Sequence, residues 1–138
     1  MKKFLMGAES YSNMHNLGLL LFRLYVGFTM AFAHGLGKMP PKPAFMGFVG
    51  SLGLPAPELM AWLAAIAEFG GGLLIAIGLA TRFSALALGG TMVVAAFLVH
   101  GADPFAKKEL ALLYLSCCVL LFTAGPGAFS VDRLISKK

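Results

Sequence analysis

Leu17–Gly35 reads LGLLLFRLYVGFTMAFAHG, an apolar run in which Arg23 is the one fully charged side chain. A helix needs about 20 mostly apolar residues to cross a hydrocarbon core about 30 Å thick, and this run has that length. An arginine at the centre of a spanning helix costs about 3 kcal/mol on insertion scales. Ionisable residues in such places face other polar groups and mark candidate functional sites. Arg23 therefore raises the question of its partner.

The pattern recurs at about Pro57–Ala80, Phe83–His100 and Glu109–Thr123. Glu68 falls in the middle of the second run, while His34 and His100 close the first and third. Of the 138 residues, 59% are hydrophobic and only 12% charged, with a mean hydropathy of +0.83. A soluble domain carries about a quarter charged residues, and one this small lacks the interior to hide so much apolar surface. The expectation is all-α: an integral membrane four-helix bundle forming a single domain over residues 1–138, solvated by the lipid bilayer. The fourth run is the shortest, which suits little tilt or a locally thin site.

The connections are legible from their breakers. Met1–Asn16 is a polar, basic leader whose Tyr11, Asn13 and His15 suggest an interfacial turn or short surface helix, and no cleavable signal peptide is apparent. Between the first two spans, Pro40, Pro41, Pro43, Pro55 and Pro57 interrupt any long helix. Within that stretch Phe45, Phe48, Val49 and Leu52 recur at helical spacing, so Ala44–Leu52 is expected as a short amphipathic helix. Thr81-Arg82 reads as a tight turn, GADPFAKK as a polar connection, and Phe129–Lys138 as a basic tail.

Six basic residues (Lys2, Lys3, Arg82, Arg133, Lys137, Lys138) fall on one side and four (Lys38, Lys42, Lys107, Lys108) on the other. That bias favours both termini in the cytoplasm. The net charge of +5 is scattered at segment ends, which argues against nucleic acid. Small residues fill the spans, as tight packing in lipid requires. Cys117 and Cys118 are adjacent in an apolar helix and read as packing residues.

At about 1.5 Å per residue, Arg23 lies roughly 9 Å and Glu68 roughly 18 Å from the cytoplasmic ends of their spans. The gap is within reach of two long side chains, so an intramembrane Arg23–Glu68 ion pair is expected. It would be a static bridge or part of a working site. Arg23, Gly27, Met30, His34 and Lys38 share one helical face, which continues the polar track toward His100, Asp103 and Glu109. Two histidines with carboxylates suit a metal in principle, but no HxxxH or HExxH spacing occurs. They also suit a polar head group such as a quinone ring, with His34 and His100 exchanging protons and Lys38 stabilising an anionic form. The candidate binding residues are thus His34, Lys38, Glu68, His100 and Glu109.

Taken together, RLYVGFTMAFAHGLGKM, AEFGGGLLIAIGLATRF, the His ending the third span, KELALLYL and GPGAFSVDRL resemble the DoxX family of small bacterial membrane proteins over Leu17–Leu134. The motif positions are Arg23, His34, Gly35, Lys38, Glu68, Gly70, Gly71, Thr81, Arg82, His100, Gly125, Pro126, Gly127, Ser130 and Asp132. The resemblance implies a four-helix protein of the bacterial inner membrane, associated with oxidoreductases. A related branch, DoxD, is similar to the small subunit of thiosulfate:quinone oxidoreductase.

With no haem, iron–sulfur or flavin motif in the chain, no intrinsic cofactor is expected. The expectation is a quinone-linked subunit that draws electrons through a partner protein. Two alternatives stand beside it: a small-solute or proton-coupled transporter using Arg23 and Glu68, which a homo-oligomer would suit, and a non-catalytic assembly subunit of a membrane complex.

Overall fold

A computed structural model describes residues 8–136, so the readings made for Met1–Gly7, Lys137 and Lys138 lie outside the described residues. Helix α1, Ala8–Thr29, starts well before the expected span. The stretch from Ala8 to Asn16 is its opening turns, not a separate surface helix. From Thr29 the backbone continues as a π-helical segment, Met30–Gly35, and then a 3₁₀ turn, Leu36–Lys38. The short helix α2, Pro43–Ser51, stands where the prolines and aromatic spacing place it, with Val49 buried. Helix α3 is Pro57–Ile77 and α4 is Thr81–Val94, the latter extended by a second π segment, Ala95–Val99. Helices α5, Phe105–Ala124, and α6, Val131–Ser136, complete the described chain.

Three local boundaries differ from expectation. The tight turn is Gly78–Ala80, with Gly78 at φ +74° and Ala80 at +48°, and Thr81-Arg82 already belongs to the first turn of α4. The residues Phe105–Lys108 of GADPFAKK are likewise helical. The basic tail is not a simple extension, because Val131–Ser136 forms α6.

Helix α1 packs on α3, α3 on α4, and α4 on α5, while α2 lies against α3. The α1–α3 crossing is a backbone contact. A Cβ on Gly27 would stand 2.5 Å from the Gly72 carbonyl oxygen, and one on Gly72 would stand 2.9 Å from the Ala31 amide. Gly27, Ala31 and Gly35 recur every fourth residue, the small-residue stripe that lets helices meet closely in lipid. Of the expected glycine motif, Gly35 belongs to this contact, whereas Gly70 and Gly71 have no atom nearer than 3.8 Å to an added Cβ. Gly72 is the residue that matters.

A core of Met30, Ile75, Leu88, Met92, Cys118 and Leu121 ties α1, α3, α4 and α5 together. Large apolar side chains such as Tyr25, Phe83, Leu86 and Leu113 point outward, the arrangement expected when lipid is the solvent. Among the described residues, three helical stretches are long and apolar enough to cross a membrane: Asn13–Lys38, Pro57–Ile77 and Thr81–Val99. In α5 the triplet Lys107-Lys108-Glu109 lies within the first five residues. That leaves Leu110–Ala124, about 22 Å of apolar helix.

Candidate functional site

The expected Arg23–Glu68 pair does not form. Glu68 bonds Lys38 instead, with Nζ 2.5 Å from Oε2, and Arg23 Nη2 donates to the Phe129 carbonyl at 2.5 Å. The two charges serve different ends of the molecule, so the transporter reading loses the pair it rested on.

Axial register separates Arg23 from Glu68. Gly27 meets Gly72 and Ala76, Gly35 meets Glu68 and Phe69, and Arg23 lies against Gly78. Gly78 is about 15 Å along the helix from Glu68, not the short depth gap expected. Helical winding then decides which residue beyond Gly35 turns toward Glu68. A 3₁₀ turn advances each residue by about 120°, against about 100° in an α-helix, and a π-helix advances it by less. The π segment Met30–Gly35 therefore rotates His34 away from the face that carries Arg23. The 3₁₀ turn at Leu36–Lys38 brings Lys38 back. His34 ends edge-on against the Tyr114 ring of α5, centroids 5.6 Å apart, and Tyr114 donates from its hydroxyl to Thr29 Oγ1. Lys38 returns to α3 and reaches Glu68.

Lys38 and Glu68 open onto a cavity of about 630 Å³. Phe45, Phe48 and Val49 of α2 line one side, Leu63, Ala64 and Ala67 of α3 another, and Ala87, Gly90, Thr91 and Val94 of α4 a third. The wall is almost wholly apolar. Its polar groups are Lys38, Glu68, Thr91 and His100. Glu68 is 4% exposed, so its carboxylate depends on Lys38, which is 33% exposed. The Phe45 ring stands 5.8 Å from the Lys38 ammonium, a favourable cation–π position.

His100 ends the second π segment and lines the cavity. Its Nδ1 lies 2.8 Å from Asp103 Oδ2. That hydrogen bond is the main reason the Asp103 carboxyl sits below the usual aspartate range, with Lys107, His100 and Lys108 adding their charges. Of the five predicted binding residues, the structure thus gathers Lys38, Glu68 and His100. His34 faces Tyr114, and Glu109 is exposed on α5, away from the cavity lining.

The opposite end is a latch built on Arg23. Its side chain is fully buried, and its Nε and Nη1 have no hydrogen-bond partner among the described residues. Gly78 packs directly on the guanidinium, and any side chain there would collide with it. The segment after α5 folds over this point. Asp132 accepts hydrogen bonds from the Ala80 and Thr81 amides and the Thr81 hydroxyl at 2.7, 3.0 and 3.0 Å, capping α4 from another helix. Burial raises the Asp132 pKa, but these bonds together with the Arg23 charge outweigh it and hold the carboxyl below the usual aspartate range.

Asn16 Oδ1 accepts from the Ala128 amide. Arg82 Nη2 lies 3.5 Å from the Thr123 carbonyl, beside Gly125. Arg82, Gly125, Pro126, Gly127 and Asp132 therefore belong to the latch and not to the cavity. Phe129 entered the latch unannounced, because it contributes a backbone oxygen that no side-chain pattern reveals.

The geometry can be set beside known proteins. The family model DoxX matches residues 18–101. The chain is 33% identical over 131 residues to "Inner membrane protein YqjF" of Escherichia coli, covering 91% of this chain and 97% of that one. It is also 33% identical over 122 residues to "Putative oxidoreductase CatD" of Bacillus subtilis, covering 88% and 89% respectively. No solved structure matches. The matched segment holds Arg23, the α1–α3 glycine contact and every residue of the cavity, and the chain is a membrane protein of the DoxX family.

Proposed function

We propose that this protein is a quinone-linked, oxidoreductase-associated membrane subunit that binds the polar ring of an amphiphile in the cavity beneath α2. The observation that carries this reading is the cavity itself: an apolar wall with Lys38–Glu68 and His100 as its few polar groups. Ligand sites commonly combine a mostly apolar lining with a few convergent polar groups. The printed name of the Bacillus relative supports an oxidoreductase setting, and electrons would arrive through a partner protein. The Escherichia relative's name supports placement in an inner membrane.

In this reading α5 is the fourth span of a bundle. Asn16 and Ala128 touch, so the start of α1 and the segment after α5 share one end of the molecule. An even number of crossings satisfies that, with both termini on the cytoplasmic side. The test is equilibrium binding of a short-chain benzoquinone to the detergent-purified chain. Saturable binding that Gly90→Phe weakens at least tenfold is expected, because a side chain at Gly90 meets open space beside the cavity. Absence of saturable binding, or equal affinity in the variant, overturns the reading.

A further inference from the structure

We propose that His100, held by Asp103, is a proton-exchanging residue that reads the redox state of the ring in the cavity, gripping its carbonyl form as imidazolium and its hydroxyl form as neutral imidazole. The proposal rests on the ring-binding reading above.

Three observations support it. His100 lines the cavity, and its Nδ1 is committed to Asp103 Oδ2 at 2.8 Å, which leaves Nε2 as the nitrogen available to a ligand. Both side chains are partly open to water, 35% and 39% exposed, so protons can enter and leave from the loop while the ring stays bound. The remaining charges about the cavity are accounted for: Lys38 and Glu68 pair with each other, and Lys108 Nζ donates to the Gly101 carbonyl. Lys107 and Lys108 act on Asp103 from the start of α5.

The chemistry follows from donors and acceptors. A ring carbonyl only accepts, so it needs Nε2–H while Nδ1–H remains on Asp103, which is the imidazolium. A ring hydroxyl donates, so it needs the bare Nε2 lone pair of neutral imidazole. Asp103 positions the ring and stabilises the imidazolium, as the carboxylate does in a carboxylate–histidine pair. Reduction of the bound quinone by two electrons from the partner protein takes up two protons, one from His100 Nε2 to the carbonyl oxygen it faces and one from water to the other oxygen, and oxidation returns both.

Linkage gives the test. Affinity of the carbonyl form should fall as pH rises, by up to about tenfold per unit for one linked proton, and affinity of the hydroxyl form should rise. The experiment measures dissociation constants of a short-chain benzoquinone and, under anaerobic conditions, of its hydroquinone between pH 5 and 8. Opposite slopes in the native chain are expected, flat profiles in His100→Gln, and a midpoint moved to lower pH in Asp103→Asn with both forms still bound. Two flat profiles in the native chain, or opposite slopes that survive His100→Gln and so belong to Lys38–Glu68, overturn the proposal. An Asp103→Asn midpoint equal to the native one overturns the positioning role. Failure of either form to bind at all refutes the ring-binding reading itself.

Discussion

Lys38 Nζ lies 2.5 Å from Glu68 Oε2, and the two residues differ sharply in their access to water, 33% against 4% exposed. The contact joins the 3₁₀ end of the first span to the middle of α3. It is the charged contact of the cavity, and it places a cation in a mostly apolar wall.

The unequal exposure makes the pair asymmetric to mutation. Lys38→Met strands a buried carboxylate, and removal of one partner from a buried pair costs about 3 kcal/mol. Glu68→Gln leaves a lysine that can turn to water, so its cost resembles that of an exposed pair, about 1 kcal/mol or less. Thermal unfolding in detergent should therefore rank Lys38→Met below Glu68→Gln. The reverse order would show that Glu68 finds another partner.

The Asp132 cap predicts acid lability of the latch. Its carboxyl is held below the ordinary value near 3.9. A depressed folded pKa contributes stability that is present above the unfolded value and is lost as pH falls through the folded one. Native protein should lose thermal stability on acidification below about pH 4. Asp132→Asn should start lower at pH 6 and show less of that loss, and parallel curves for the two proteins would refute the assignment.

Close approach of α1 and α3 separates two glycines with the same sequence signature. Gly27→Leu forces a side chain into the Gly72 carbonyl, an overpacking cost of about 1–3 kcal/mol or more. Gly18 has nothing within 4 Å of an added Cβ, so Gly18→Ala should be neutral or stabilise the helix by up to about 1 kcal/mol. Folded yield and melting temperature decide between them.

Gly78 should tolerate no side chain. Its φ of +74° disfavours any Cβ, and the position is already filled by the Arg23 guanidinium. Gly78→Ala is expected to destabilise more than Arg23→Met, which removes the buried charge together with the two nitrogens that have no partner among the described residues. A chemical unfolding series in mild detergent would show the order.

The sequence by itself determined the long apolar helices and the short proline-bounded helix, and it singled out Arg23, Lys38, Glu68 and His100 as polar groups in or at the ends of apolar runs. Hydropathy, helical spacing and helix breakers are local properties, so they survive being read one segment at a time. Only the tertiary structure decided which charges meet. Partnering depends on the axial register of α1 on α3, which sets Arg23 against Gly78 and Gly35 against Glu68, and on the π and 3₁₀ segments after Thr29, which alter the rotation of His34 and Lys38 without a signal in residue type. It depends too on the backbone of Phe129 returning from more than a hundred residues away to meet Arg23. A carbonyl oxygen belongs to every residue, so its choice is made by chain path alone.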